Sequence, residues 1–163
     1  MLAAMKSLYR PSDFQALSRR LDSLRPDSPR QWGRMSPGGA VCHLTDAYKG
    51  LLGERSRPAP AHTGPASLRA RTAKLVRRLY GLTSPLPWPK GIPTPAPVDQ
   101  EKGGTPPGVF EDDVEALRAA MTRFRDRDGR DMAPHVLFGK LTRGEWGRWA
   151  YRHMDHHLRQ FGA

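Results

Sequence analysis

Six histidines stand in the 163 residues, at His43, His62, His135, His153, His156 and His157. Three of them fall within five positions near the C-terminus, and on a helix the imidazoles of His153 and His157 lie one above the other. Two rings so placed can take adjacent corners of a metal polyhedron, a spacing that zincins also use. His156 is turned about 100° from His157 and lies three residues after His153, so spacing allows it to replace His157 or to support a ligand from behind. A third ligand has to come from another helix. His43 suits that role because it shares an inward stripe with Ala40, Ala47 and Gly50, small residues that leave room for a site. Three neutral imidazoles form a facial set with open positions for water or substrate, the donor pattern of a catalytic divalent-metal centre more than of a closed structural one. Inward-facing histidines also serve as ordinary core residues, so spacing alone leaves both readings open. His62 and His135 lie near prolines in expected loops and are set aside.

The elements that must position these side chains read as helices. Helical periodicity recurs in five places and strand-like alternation is almost absent, which makes the chain all-α. The first helix is expected from Ser12, with Gln15 completing a capping box and Phe14, Leu17, Leu21 and Leu24 on one stripe, until Pro26 and Pro29 end it. The second is expected from Ser36 as N-cap, with Pro37 at the first helical position, to about Gly53. Eleven of the 16 prolines lie between Gly53 and Gly108, which marks a long connection with little regular structure. One helix interrupts it, capped by Ser67 and ending near Gly81, with Leu68, Leu75, Val76 and Leu79 as its apolar stripe and Arg69, Arg71, Arg77 and Arg78 elsewhere. The remainder, Thr83 to Gly108, is expected to lie over the bundle as an ordered, irregular loop or lid. The third bundle helix follows Phe110, with Glu111, Asp112, Asp113 and Glu115 at its positive end and Val114, Leu117, Met121 and Phe124 facing inward, and it stops near Asp128-Gly129. The last has a capping box of Thr142 with Glu145 and buries Trp146, Trp149 or Ala150, His153, His157 and Phe161. Four principal helices and one long crossover at 54–109 carrying an extra helix predict a single four-helix bundle over residues 1–163.

Composition narrows the classes. With 37% hydrophobic and 26% charged residues the chain is neither collagen-like nor wholly disordered. The formal net charge of +11 comes from 27 Lys and Arg against 16 Asp and Glu. This excess is spread along the chain, and its densest block, Arg55 to Arg78, lacks the interleaved aromatics that stack on bases. Nucleic acid is therefore a disfavoured partner, whereas a small anionic substrate would suit the charge. Cys42 is the single cysteine, which excludes an internal disulfide and fits a reducing compartment. No uncharged run reaches membrane-spanning length, and the opening Met1–Lys6 is too short for a signal-peptide core, so a cytoplasmic protein without a membrane is expected. Bundles of this kind pair through an outer helical face, so a homodimer is compatible with the pattern.

Several residues could assist such a site. Asp46, three after His43, could orient a ligand or act as general base, or form a salt bridge with an arginine. Gln160, three after His157, could hydrogen-bond a ligand or a bound water. Asp155 and His156 are further candidates for supporting the ligands. Trp32, Trp146 and Trp149 are expected in the core, while Trp88, within Pro87-Trp88-Pro89, could fold over the cleft or anchor the loop. Cys42 is turned away from His43 by about 100° and reads as packing, not as a ligand.

The chain resembles the DinB-like, YfiT-like metalloenzymes, four-helix bundles with a histidine on the second helix and a His-x-x-x-His pair on the fourth. His43 and the pair His153 and His157 match that pattern one by one. The likeness is closest to a bacterial subfamily, carried by Trp32-Gly33-Arg34-Met35-Ser36, Phe138-Gly139-Lys140-Leu141-Thr142, Pro89-Lys90-Gly91-Ile92-Pro93-Thr94-Pro95 and the ending His156-His157-Leu158-Arg159-Gln160-Phe161-Gly162. It runs from about Trp32 to Phe161, with gaps through the proline-rich loop. The resemblance implies His43, His153 and His157 as ligands of zinc, nickel or another divalent ion. Some members of the superfamily are thiol-dependent S-transferases or isomerases, but their substrate-recognition residues have no counterpart here. The expected function is thus a divalent-metal-dependent hydrolase or thiol-dependent transferase whose three-histidine site activates water or a thiol for a small substrate. The alternative is a non-catalytic metal-binding protein or one that uses its basic surface for interaction.

Overall fold

A computed structural model, which describes residues 5–56 and 68–163, resolves this pattern into helices α1 (Pro11–Ser23), α2 (Pro37–Leu52), α3 (Leu68–Thr83), α4 (Phe110–Arg127) and α5 (Arg143–Gln160). A short 3-10 turn, Ala96–Val98, interrupts the loop after α3. Among the described residues there is no strand; an isolated antiparallel bridge joins His135 and Gly139. α2 packs most extensively on α4, while α1 and α3 lie on α5 and α2 also meets α5, which makes the expected all-helical bundle. Leu17, Leu117, Met121, Phe124, Trp146 and Met154 are wholly or almost wholly shielded at its centre. No helix among the described residues is long and apolar enough to cross a membrane.

Local chemistry explains the helix ends that matter for function. Ser36 Oγ accepts from Gly39 N at 3.0 Å and Pro37 starts α2, so the register of His43 is set from the N-terminal end. Thr142 and Glu145 form the reciprocal capping box that starts α5 and thereby fixes His153 and His157. α4 stops where Asp128 and Gly129 adopt left-handed backbone, as the sequence predicts.

Three expectations need correction. The Ser12–Gln15 capping box does not form: Pro11, whose φ is already helical, takes the first position, Arg10 precedes it, and Ser12 lies inside the first turn. Buried Asp13 instead accepts from Ser7 N at 2.9 Å, tying down an N-terminal segment whose Leu8 is fully buried. On α3 the apolar stripe does not face the bundle, since Leu75, Val76 and Leu79 are exposed. The helix is held at its C-terminal end, where Leu82 is buried, and by Arg78, which binds both oxygens of Glu145 on α5 at 2.7 and 2.6 Å. Trp32 is half-buried at the site's rim, not in the core, with Lys90 Nζ 4.5 Å above its ring. Ser67 and His62 lie outside the described residues, as do the side chains of Leu68, Arg69, Arg71 and Arg77.

Candidate metal centre

α2 and α5 bring His43, His153 and His157 together, with one ring nitrogen of each within 4.8 Å of the others. All three side chains are buried. His43 Nε2 lies 3.0 Å from His153 Nε2, and the His43 and His157 rings are 4.7 Å apart between centroids. Two metal–nitrogen bonds of about 2.1 Å enclose such an N···N separation at roughly a right angle, as adjacent ligands do. His156 is not in the trio. The packing of α5 turns it to the rim, where its ring meets Trp32 edge-on at 5.8 Å between centroids and Trp88 in a tilted contact at 6.1 Å.

Hydrogen bonds orient two of the three imidazoles. His43 Nδ1–H donates to the Val98 carbonyl at 2.8 Å, and His157 Nδ1–H donates to Gln160 Oε1 at 3.1 Å, which leaves each Nε2 with its lone pair for a ligand. His153 Nδ1 is buried without a hydrogen-bond partner. Burial is the main cause that holds His43 below the ordinary imidazole pKa and pushes His153 and His157 well below it. The mutual repulsion of the rings adds to this at His153 and His157. At His43 the Val98 bond and the nearby Asp46 and Asp99 carboxylates oppose it. A lowered pKa favours the neutral ring, the form that a metal requires of imidazole. The donor set fits a divalent ion in identity, protonation, spacing and orientation.

The other candidates have other partners. Asp46 is buried, with Oδ1 accepting from Thr105 Oγ1 and Oδ2 from Thr105 N, both at 2.7 Å, and with Arg55 at 3.3 Å. Its bonds are those of a strut that pins the long loop to α2, the salt-bridge alternative that the sequence offered for it. Asp155 pairs with Arg20 at 2.7 Å and ties α5 to α1. Gln160 uses both ends of its amide: Oε1 accepts from His157 and Nε2 donates to Trp32 O at 2.9 Å, so it orients the His157 ring. Cys42 is buried, and burial, then the Asp113 carboxylate, pushes its thiol up to about 12, which makes it an unreactive packing residue.

In front of the trio lies a cavity of about 570 Å³. Trp88 covers part of it: its Nε1 donates to Gly81 O at 2.8 Å and its ring stands 5.8 Å from that of His153, so it both anchors the loop and roofs the cleft. His135, set aside in the sequence, is buried in the cavity wall against Phe138 and Trp149. Its Nδ1 accepts from Leu137 N at 3.1 Å within a tight turn. No helical register marks that residue, which lies in a loop and pairs its backbone with Gly139.

A family model described as "Protein of unknown function (DUF1569)" matches residues 12–163, and the chain belongs to that family. No curated protein matches, and no solved structure does.

Proposed function

We propose that this DUF1569 member is a divalent-metal-dependent enzyme whose ion is held by His43, His153 and His157, and that it is related to the DinB-like, YfiT-like metalloenzymes. The carrying observation is the convergence of three buried imidazole nitrogens within 4.8 Å, two of them oriented from behind by Val98 O and Gln160 Oε1. Zinc and nickel are among the ions that suit neutral imidazoles. Such an ion supplies acidity, lowering the pKa of a water or thiol so that a nucleophile exists near neutral pH. The chain's own contribution is positional. Val98 and Gln160 fix the tautomers of His43 and His157, Trp88 excludes bulk water above His153, and the cavity receives a small molecule beside the three nitrogens. A facial set of three protein ligands leaves positions open, which favours hydrolysis or group transfer over a purely structural role.

The test is elemental analysis of protein purified without chelator or nickel resin, for wild type, His43→Ala and His157→Ala. About one divalent ion per chain is expected in wild type, with loss from both variants while far-UV circular dichroism stays helical. Absence of metal after incubation with zinc, nickel and manganese would overturn the reading.

A further inference from the structure

The chain carries 27 basic residues, yet no Lys or Arg among the described residues lines the cavity in front of the histidines. Three described arginines next to lining residues or on the elements around them are committed elsewhere. Arg55 reaches Asp46, Thr105 and the Gly103 carbonyl, Arg78 is bound to Glu145, and Arg152 donates to the Ser84 and Leu86 carbonyls. Asp46, the carboxylate in the wall, is satisfied by Thr105 and Arg55. The rest of the described lining is mostly apolar, with Leu51, Val98 and Phe138 beside Trp88 and Trp149, whose rings both pack against His153, and with a few polar residues such as Ser56, Thr94 and His135. At the mouth Tyr80, Ile92 and Leu137 line the cavity while remaining 38%, 52% and 40% exposed. Exposed apolar side chains at the entrance of an apolar cavity mark a ligand-binding surface.

We infer that the cavity takes a neutral, largely apolar small molecule, held by its carbon skeleton between Trp88 and the Leu51–Val98 wall, with one polar group turned to the imidazoles. A phosphate ester or a carboxylate-rich thiol is best held by a guanidinium or ammonium clamp, and the described residues of the cavity offer none. The basic surface therefore does not report on the substrate. This reading rests on the histidine centre as the reactive end of the cavity, but the cavity is tested separately from the metal.

The full-length protein, zinc-loaded and chelator-treated, is titrated with the neutral fluorophore N-phenyl-1-naphthylamine and with its anionic relative 8-anilinonaphthalene-1-sulfonate. Zinc per chain is measured in the same samples. The neutral probe is expected to saturate at one site in both forms and to bind at least about tenfold more tightly than the sulfonate. Ile92→Asp and Leu137→Asp, at exposed positions that leave the core intact, should each weaken the neutral probe by about tenfold or more with zinc content unchanged. Leu75→Asp, an exposed α3 position outside the cavity, should change nothing. Equal or tighter binding of the sulfonate overturns the proposal, as does loss of binding in Leu75→Asp or retention in both cavity variants. Loss of zinc from wild type with the probe pattern intact refutes the metal centre and leaves the cavity assignment standing.

Discussion

Gln160 decides how His157 is presented, and it does so with both ends of one amide. Its Oε1 accepts from His157 while its Nε2 is anchored on Trp32 O. Gly33 permits that anchor: its φ is +78° and a Cβ there would lie 2.7 Å from Gln160 Nε2. Gln160→Leu is therefore expected to weaken zinc binding by roughly 10- to 100-fold in competition with a chromophoric chelator, whereas Gln160→Glu, which keeps an acceptor for His157 but loses the donor to Trp32 O, should lose less than Gln160→Leu. Equal losses in the two variants would show that Gln160 acts through packing alone. Cys42 gives the opposite expectation. With its thiol pushed up to about 12, it should not react with a disulfide reagent at pH 8 until the protein is denatured, and Cys42→Ala should keep its metal. The trio was legible at this scale because an i, i+4 pair and an inward histidine among small residues constrain where imidazoles can point. The choice between His156 and His157 was not, since it turns on how α5 is rotated against its neighbours. His135 was hidden for a related reason: a loop has no period from which to read its direction.

At the scale of elements, the N-terminal cap of α5 does more than start a helix. Glu145 accepts from Thr142 N at 2.9 Å and binds Arg78, so one carboxylate caps α5 and holds α3 against it. The Arg78 guanidinium, with help from Thr142, holds this carboxyl down at about 2, against partial burial that raises it. A carboxyl whose pKa is depressed by folding stabilises the native state above its unfolded pKa, near 4.5, and that contribution fades as pH falls toward 2. The melting temperature of Glu145→Gln should accordingly lie below that of wild type by a constant margin above about pH 5, and the margin should close as pH approaches 2. A margin that persists at low pH would mean that Arg78 is not its source. The two capping boxes expected from sequence had different fates for a physical reason. Nothing competes with Thr142, whereas Pro11 sits one residue before Ser12 and claims the helix start. The α3 stripe misled because periodicity reveals an apolar face without saying what it faces; Leu75, Val76 and Leu79 point to solvent while Arg78 and Leu82 make the contacts.

For the whole molecule, the question is whether the proposed metal centre would hold the bundle together or be carried by it. The largest fully buried side chains, Trp146, Tyr48 and Phe124 among them, form a continuous core with Leu8, Leu17, Leu117 and Met121, and none of these is a histidine. Tyr48 OH donates to Ala150 O at 3.1 Å, joining α2 to α5 in the middle of that core. Gly147 admits the N-terminal segment to the same packing: a Cβ there would strike Ser7 and the Tyr9 ring, and Leu8 N donates to Gly147 O at 2.9 Å. None of these core residues belongs to the histidine trio, so the bundle is expected to fold without an ion. Chelator-treated protein is thus expected to keep its helical spectrum and a cooperative melt, with the transition lower by roughly 5–10 °C, the shift that follows from losing a ligand present at about a hundredfold above its dissociation constant. Gly147→Val should act in the other order, destabilising the protein by a few kcal/mol through the core while zinc per folded chain stays near that of wild type. If chelation instead unfolds the chain at 25 °C, the three histidines are a structural staple. If Gly147→Val empties the site while the bundle stays folded, the centre depends on the N-terminal packing as much as on its own ligands.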